Sequence, residues 1–153
     1  MRILFVCSGN TCRSPMAESL MKDEIRRKCN TRCIEVLSAG LSAFPGAPIS
    51  DKAARVLMEE NLDPLPDHRA TVVNQELVDS MDLILVMTAE HKRQLLSRDS
   101  NAAEKIHLLK KYADPFVQDD NISDPFGGNL EKYRATLKEL RTSIKKLANK
   151  LDR

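Results

Sequence analysis

The chain has no tryptophan, two tyrosines and four phenylalanines in 153 residues, so each aromatic ring near a candidate site carries information. Charge of one sign is lacking as well. Lysine and arginine number 24 against 22 aspartate and glutamate, the net charge is +2, and the signs interleave. No basic arm marks a nucleic-acid partner. No apolar run is long enough to span a bilayer, and the first one is too short for a signal peptide. A cytoplasmic location without a membrane partner is the expectation. Four cysteines in a reducing compartment argue against a disulfide framework and for thiol chemistry or plain burial. There is no internal repeat, low-complexity stretch or domain boundary. Residues 1–153 read as one domain, long enough to bury a real core.

What is present is an alternation of strand and helix patterns. Short apolar runs at 2–6, 34–37, 83–87 and 106–109 read as buried strands, with 83–87 the clearest. Ser38-Ala39-Gly40 reads as the end of the second strand, and 41–50, with Pro45, Gly46 and Pro48, as a loop. Helices are predicted over 14–28, from Ser50 or Asp51 through Met58, over 74–79 behind an Asn74 cap, over 88–97 behind Thr88, and from Asn129 to Leu151. Residues 112–128 read as a polar loop. The last helix carries Leu130, Tyr133, Leu137, Leu140, Ile144, Leu147 and Leu151 at alternating spacings of three and four. A coiled coil is the rival reading of that stripe. It spans few heptads and has no partner segment, so a helix covering one sheet face is expected. The fold class is thus α/β: a four-stranded parallel sheet with helices on both faces. Ligands in such sheets bind at the carboxyl ends of strands.

The first strand ends there in Cys7-Ser8-Gly9-Asn10-Thr11-Cys12-Arg13-Ser14, followed by Pro15, a residue suited to the first turn of a helix. A strand, tight loop and helix N-terminus gather backbone N–H groups and the positive end of a helix dipole, which makes an anion site. A thiol beside a helix N-terminus and an arginine favours the nucleophilic thiolate. The Arg13 fork matches phosphate oxygens in pairs. Gly9 permits close approach of backbone to ligand or a positive φ, and Asn10 tolerates a left-handed conformation. Ser14 caps the helix or donates to the sulfur. The bland alternative is a buried cysteine followed by an ordinary turn.

The stretch Val6-Cys7-Ser8-Gly9-Asn10-Thr11-Cys12-Arg13-Ser14-Pro15-Met16-Ala17-Glu18 resembles the low-molecular-weight protein tyrosine phosphatase family, and within it the bacterial protein arginine phosphatases. The resemblance extends over nearly the whole chain. It implies hydrolysis of phosphorylated proteins through a phosphocysteine on Cys7. Arg13 and the loop residues Ser8, Gly9, Asn10, Thr11 and Cys12 would hold the phosphoryl group. The general acid would be Asp124, in Asp124-Pro125-Phe126 before Gly127-Gly128. The similar Asp114-Pro115-Phe116 is expected to be a turn. Phe44 and Phe126 would wall the pocket on opposite sides. Asn10, Ser14, Ser38 and His68 would brace the loop. Cys12 would be a redox partner that protects Cys7 as a disulfide. His91 and His107 have no match and receive no role. Cys29 and Cys33 lack further ligands at metal spacing and are expected to be structural. No metal or cofactor is needed, because Arg13 and the backbone take the electrostatic role. A monomer is favoured.

Thr11 bears on substrate class. The resemblance implies a bulky aliphatic residue here in tyrosine phosphatases and threonine in arginine phosphatases. Phosphoarginine needs acceptors for its remaining N–H groups, which Thr11 Oγ and Asp124 supply. A phenyl ring would lose apolar contact on threonine, at about 25 cal/mol per Å². Phosphoarginine is therefore the expected substrate and phosphotyrosine the alternative. An arsenate reductase of this fold would need further cysteines after the central strand, and 88–100 contain none. A phosphocarrier would have no use for Arg13 or Asp124, and a phosphate-binding protein no use for the Cys7 thiol. Absence of phosphatase activity on aryl phosphates would revive these last two.

Overall fold

The computed structural model describes residues 1–28 and 33–152. The strands are β1 (Arg2–Cys7), β2 (Glu35–Gly40), β3 (Leu83–Val86) and β4 (Ile106–Leu108). They pair in parallel in the order β2-β1-β3-β4. The chain runs from β1 to one neighbour, β2, and then crosses to the other, β3. Strand order reverses at β1, which puts the switch-point crevice at the carboxyl end of that strand.

The β1 residues alternate between the two sheet faces. Ile3 and Phe5 pack with α1 (Arg13–Arg27) and α6 (Leu130–Leu151), against Met16, Leu20, Leu140 and Ile144. Leu4 and Val6 pack on the other face with Ile84, Val86 and Leu95, where α3 (Gln75–Asp79) and α4 (Ala89–Arg98) lie. Ile3, Leu4, Phe5 and Val6 are wholly buried. Each contributes about 1.5–3 kcal/mol of burial. The α6 stripe of Tyr133, Leu137, Leu140, Ile144 and Leu147 is buried inside the chain, so this helix covers a sheet face and forms no coiled coil. Ser50, Asn74, Thr88 and Asn129 cap α2 (Asp51–Glu59), α3, α4 and α6, each accepting a backbone N–H, the first three at positions the sequence offered as caps.

Three local features refine the sequence reading. β2 ends at Ser38-Ala39-Gly40 as read, and Gly40 pairs with Cys7 in the parallel ladder. A Cβ at Gly40 would lie 2.5 Å from the Ser8 carbonyl, so the backbone passes too close for any other residue. Residues 100–105 form a 3₁₀ turn, and Leu109–Ala113 form a short α5 that takes Tyr112 out of the predicted loop. Of the two roles open to Ser14, it takes the contact with the Cys7 sulfur and does not cap α1. The capping position is Cys12, which makes no side-chain cap bond.

The anchors of the first loop extend the sheet ladder. Leu41 N–H donates to the Cys7 carbonyl (3.0 Å), and Ser42 N–H donates to the Ser8 carbonyl (2.9 Å). The far loop is tied down by Ile122 N–H on the Met87 carbonyl (2.9 Å) and by Lys52 Nζ on the Gly128 carbonyl (2.7 Å). Both loops therefore meet above β1.

Candidate active site

Asn10 shapes the loop between β1 and α1. Its backbone is left-handed, with φ 56°, and its side chain is fully buried. The amide Nδ2 donates to Ser14 Oγ (2.8 Å) and Ser38 Oγ (3.0 Å), while Oδ1 accepts from Thr71 N–H (2.9 Å). The Asn10 carbonyl lies 2.7 Å from His68 Nε2. Ser38 in turn donates to Glu18 Oε1 (2.7 Å), a carboxylate whose other oxygen accepts from Lys22 Nζ (2.7 Å). The four predicted bracing residues thus converge, and Glu18 joins them. Two expectations are corrected. The Asn10 side chain is wholly engaged in bracing and unavailable to a substrate. Gly9 has no positive φ, since Asn10 makes the turn; a Cβ on Gly9 would meet only Thr11 Oγ1, at 3.7 Å.

Cys7 is buried, and its sulfur faces two donors. Asn10 N–H lies 3.3 Å from Sγ, and Ser14 Oγ lies 3.0 Å from it. Ser14 has one hydroxyl proton, and its other acceptor, the Ala39 carbonyl, is more distant at 3.4 Å. Arg13 is also buried. Its Nη1 donates to the Ile122 carbonyl (3.2 Å), and its Nη2 lies 3.4 Å from Asp124 Oδ2. Asp124 is half-exposed, and its Oδ1 accepts from Phe126 N–H (3.1 Å) in a tight turn that closes with Gly127 at φ 77°. The turn fixes the carboxylate facing Arg13.

These groups border one cavity of about 220 Å³, lined by Cys7, Ser8, Gly9, Thr11, Cys12, Arg13, Ser42, Asp124 and Phe126. Phe126 forms a wall, as expected. Phe44 does not line the cavity; it stands 81% exposed at the outer corner of a turn in which Ala47 N–H returns to its carbonyl (3.1 Å). Ser42 takes that side instead. Cys12 is buried at the rim, with Ser50 Oγ at 3.5 Å and the Tyr133 hydroxyl at 3.4 Å. Burial, aided by the contact with Cys12, pushes Tyr133 up to about 12.

Asp114 lies elsewhere. Its carboxylate takes Lys146 Nζ at 2.9 Å, which holds it below the usual range, and it also accepts the Phe116 N–H. Cys33 is exposed, so the thiol has no packing role; its carbonyl accepts from the N-terminal amine (3.0 Å). Cys29 lies outside the described residues. Among the described residues, no group of three or more His, Cys, Asp or Glu stands close enough to hold a metal. No helix among them is long and apolar enough to cross a membrane.

Sequence reasoning missed His91. It is buried, and its Nε2 lies 2.8 Å from Ser8 Oγ across 83 residues of sequence. Only the pairing of β3 beside β1, which brings the start of α4 to the loop, puts the two together. Tyr133 was legible as a core residue of α6, but nothing in its spacing pointed to Cys12.

A buried thiol with two donors, a buried guanidinium and a facing carboxylate, set around a loop at the end of β1, define a cysteine-based phosphatase site. Residues 2–153 match the low molecular weight phosphotyrosine protein phosphatase family, and the chain belongs to it. It is 41% identical to a protein-arginine-phosphatase of Geobacillus stearothermophilus over 98% of this chain and 95% of that one. It is 40% identical to the low molecular weight protein-tyrosine-phosphatase PtpB of Staphylococcus haemolyticus over 96% of this chain and 97% of that one. In three dimensions it superposes on a YwlE arginine phosphatase mutant with a phosphorylated active-site serine, with a TM-score of 0.92. The two are 36% identical, over 99% of this chain and 95% of that one.

Proposed function

We propose that this protein is a protein arginine phosphatase that works through a phosphocysteine on Cys7. The observation that carries the reading is the meeting of Cys7, Arg13 and Asp124 around one cavity of about 220 Å³. In the first step the Cys7 thiolate attacks phosphorus and the P–N bond breaks. Asp124, in its acid form, gives its proton to the departing guanidine nitrogen. Arg13 and the loop N–H groups hold the equatorial oxygens as charge moves. In the second step Asp124 takes a proton from water, which attacks phosphorus and releases inorganic phosphate and the thiolate. Ser14 and the Asn10 N–H support Cys7 both as nucleophile and as leaving group.

Cys12 suits a resolving role, since both thiols border the same cavity. Peroxide takes Cys7 to a sulfenic acid. The Cys12 thiol then displaces water from it and closes a disulfide, which shuts off turnover until a thiol reductant reopens it.

Substrate class is read from Thr11, which lines the cavity with a hydroxyl in place of a bulky aliphatic chain. Wild type is expected to hydrolyse a phosphoarginine peptide in preference to a phosphotyrosine peptide of the same sequence. Thr11→Ile is expected to shift the ratio of kcat/KM by about tenfold or more toward phosphotyrosine, because a guanidinium N–H loses its acceptor. A wild type that prefers phosphotyrosine would keep the chemistry and replace the substrate.

A further inference from the structure

We propose that His91 is a positioning residue of the phosphate-binding loop. Its Nε2–H donates to Ser8 Oγ and so turns the Ser8 hydroxyl proton into the cavity, as an added donor to a phosphoryl oxygen. The proposal rests on the reading of this loop as a phosphate cradle.

The geometry restricts both partners. His91 enters from the first turn of α4, where its own N–H is held by Thr88 Oγ1 (3.1 Å). The residue is 4% exposed, with Nε2 at 2.8 Å from Ser8 Oγ. The backbone of Ser8 is fixed independently, since its carbonyl accepts from Ser42 N–H (2.9 Å) and lies hard against Gly40. What remains free at Ser8 is the rotation of its side chain and hydroxyl. Ser8 lines the cavity.

The imidazole is neutral at ordinary pH. Burial, and then the charge of Arg13, bring its pKa down to about 4, against the opposing pull of Asp124 and Glu90. A neutral ring has one N–H, on one of two nitrogens. Nδ1 is buried and has no hydrogen-bond partner among the described residues. With the proton on Nδ1, a donor would be orphaned, and the Ser8 proton would point at Nε2 and away from the cavity. With the proton on Nε2, the orphan is only a lone pair, and the Ser8 proton is released. Orphaned buried N–H groups are the rarer case. The Nε2–H form is therefore favoured, and with it a serine oriented toward the cavity. A neutral ring also adds no second positive charge beside Arg13.

The test compares wild type with Ser8→Ala, His91→Phe, His91→Gln and the Ser8→Ala/His91→Phe double variant. The readouts are the competitive inhibition constant of inorganic phosphate, and kcat and KM on p-nitrophenyl phosphate. A long-range ¹H–¹⁵N correlation spectrum of wild type reports the ring tautomer. The expected result is about a tenfold weakening of phosphate and a similar rise in KM for each of Ser8→Ala and His91→Phe, the size of one charge-assisted hydrogen bond. The double variant is expected to lose no more than either single change, kcat to stay within about threefold, and His91→Gln, which keeps an N–H, to recover most of the binding. The spectrum is expected to show the Nε2–H tautomer. Unchanged phosphate binding in the single variants, losses that multiply in the double variant, or an Nδ1–H tautomer would each overturn the proposal. Should His91→Phe fail to fold, His91→Gln and the tautomer still decide it. A wild type that binds no phosphate would instead refute the cradle itself.

Discussion

Cys7→Ser is expected to lower kcat on phosphoarginine peptides and on aryl phosphates alike by on the order of 10⁴-fold or more. The hydroxyl is a much weaker nucleophile than a thiolate, and no base stands beside it. The two groups at the sulfur, Ser14 Oγ and the Asn10 N–H, do not remove a proton from serine. Thermal stability should change little, because serine is smaller than cysteine and keeps hydrogen-bond partners at the same site. Steady-state turnover together with a melting curve checks this. A variant that retains even a hundredth of wild-type kcat while folded would remove Cys7 from the chemistry.

Asp124→Asn is expected to lower kcat by about 10²–10³-fold on phosphoarginine, the range of a lost general acid. On p-nitrophenyl phosphate the first step should suffer far less, because that leaving group departs as a stable anion. The substitution keeps the turn, since the amide oxygen still accepts the Phe126 N–H. It removes only the proton and the charge facing Arg13. Asp114→Asn is the control. That carboxylate is committed to Lys146 and does not border the cavity, so activity should hold on both substrates. Equal losses at the two aspartates would overturn the assignment of the general acid to Asp124.

The contrast between those two stretches shows where sequence is informative. The chemistry of Cys7 to Ser14 was legible because one continuous strand, loop and helix start builds it, although Ser38, His68 and Thr71 brace it from distant parts of the chain. The caps Ser50, Asn74 and Thr88 were legible for the same reason, while the start of α1 was not. Longer-range features were not. Ser38-Ala39-Gly40 reads as the end of β2, but nothing local says that its ladder to β1 runs as far as Cys7 or that the Ser8 carbonyl demands the glycine. Phe44 was expected as a pocket wall only from the family resemblance, and it stands exposed at the Phe44–Ala47 turn while Ser42 lines the cavity. The Arg13 anchor on the Ile122 carbonyl, the Cys12 contact with Tyr133 and the His91 contact with Ser8 each join segments more than 80 residues apart. No spacing rule encodes such pairs; the sheet order does.

The central claim is that phosphate passes from arginine to Cys7. Its most direct test is rapid acid-free quenching of wild type with a phosphoarginine peptide, followed by proteolysis and mass spectrometry of the Cys7 peptide. The account predicts a phosphoryl group on Cys7 that forms within one turnover and disappears as inorganic phosphate is released. Rapid hydrolysis of phosphoarginine with Cys7 never phosphorylated would contradict it.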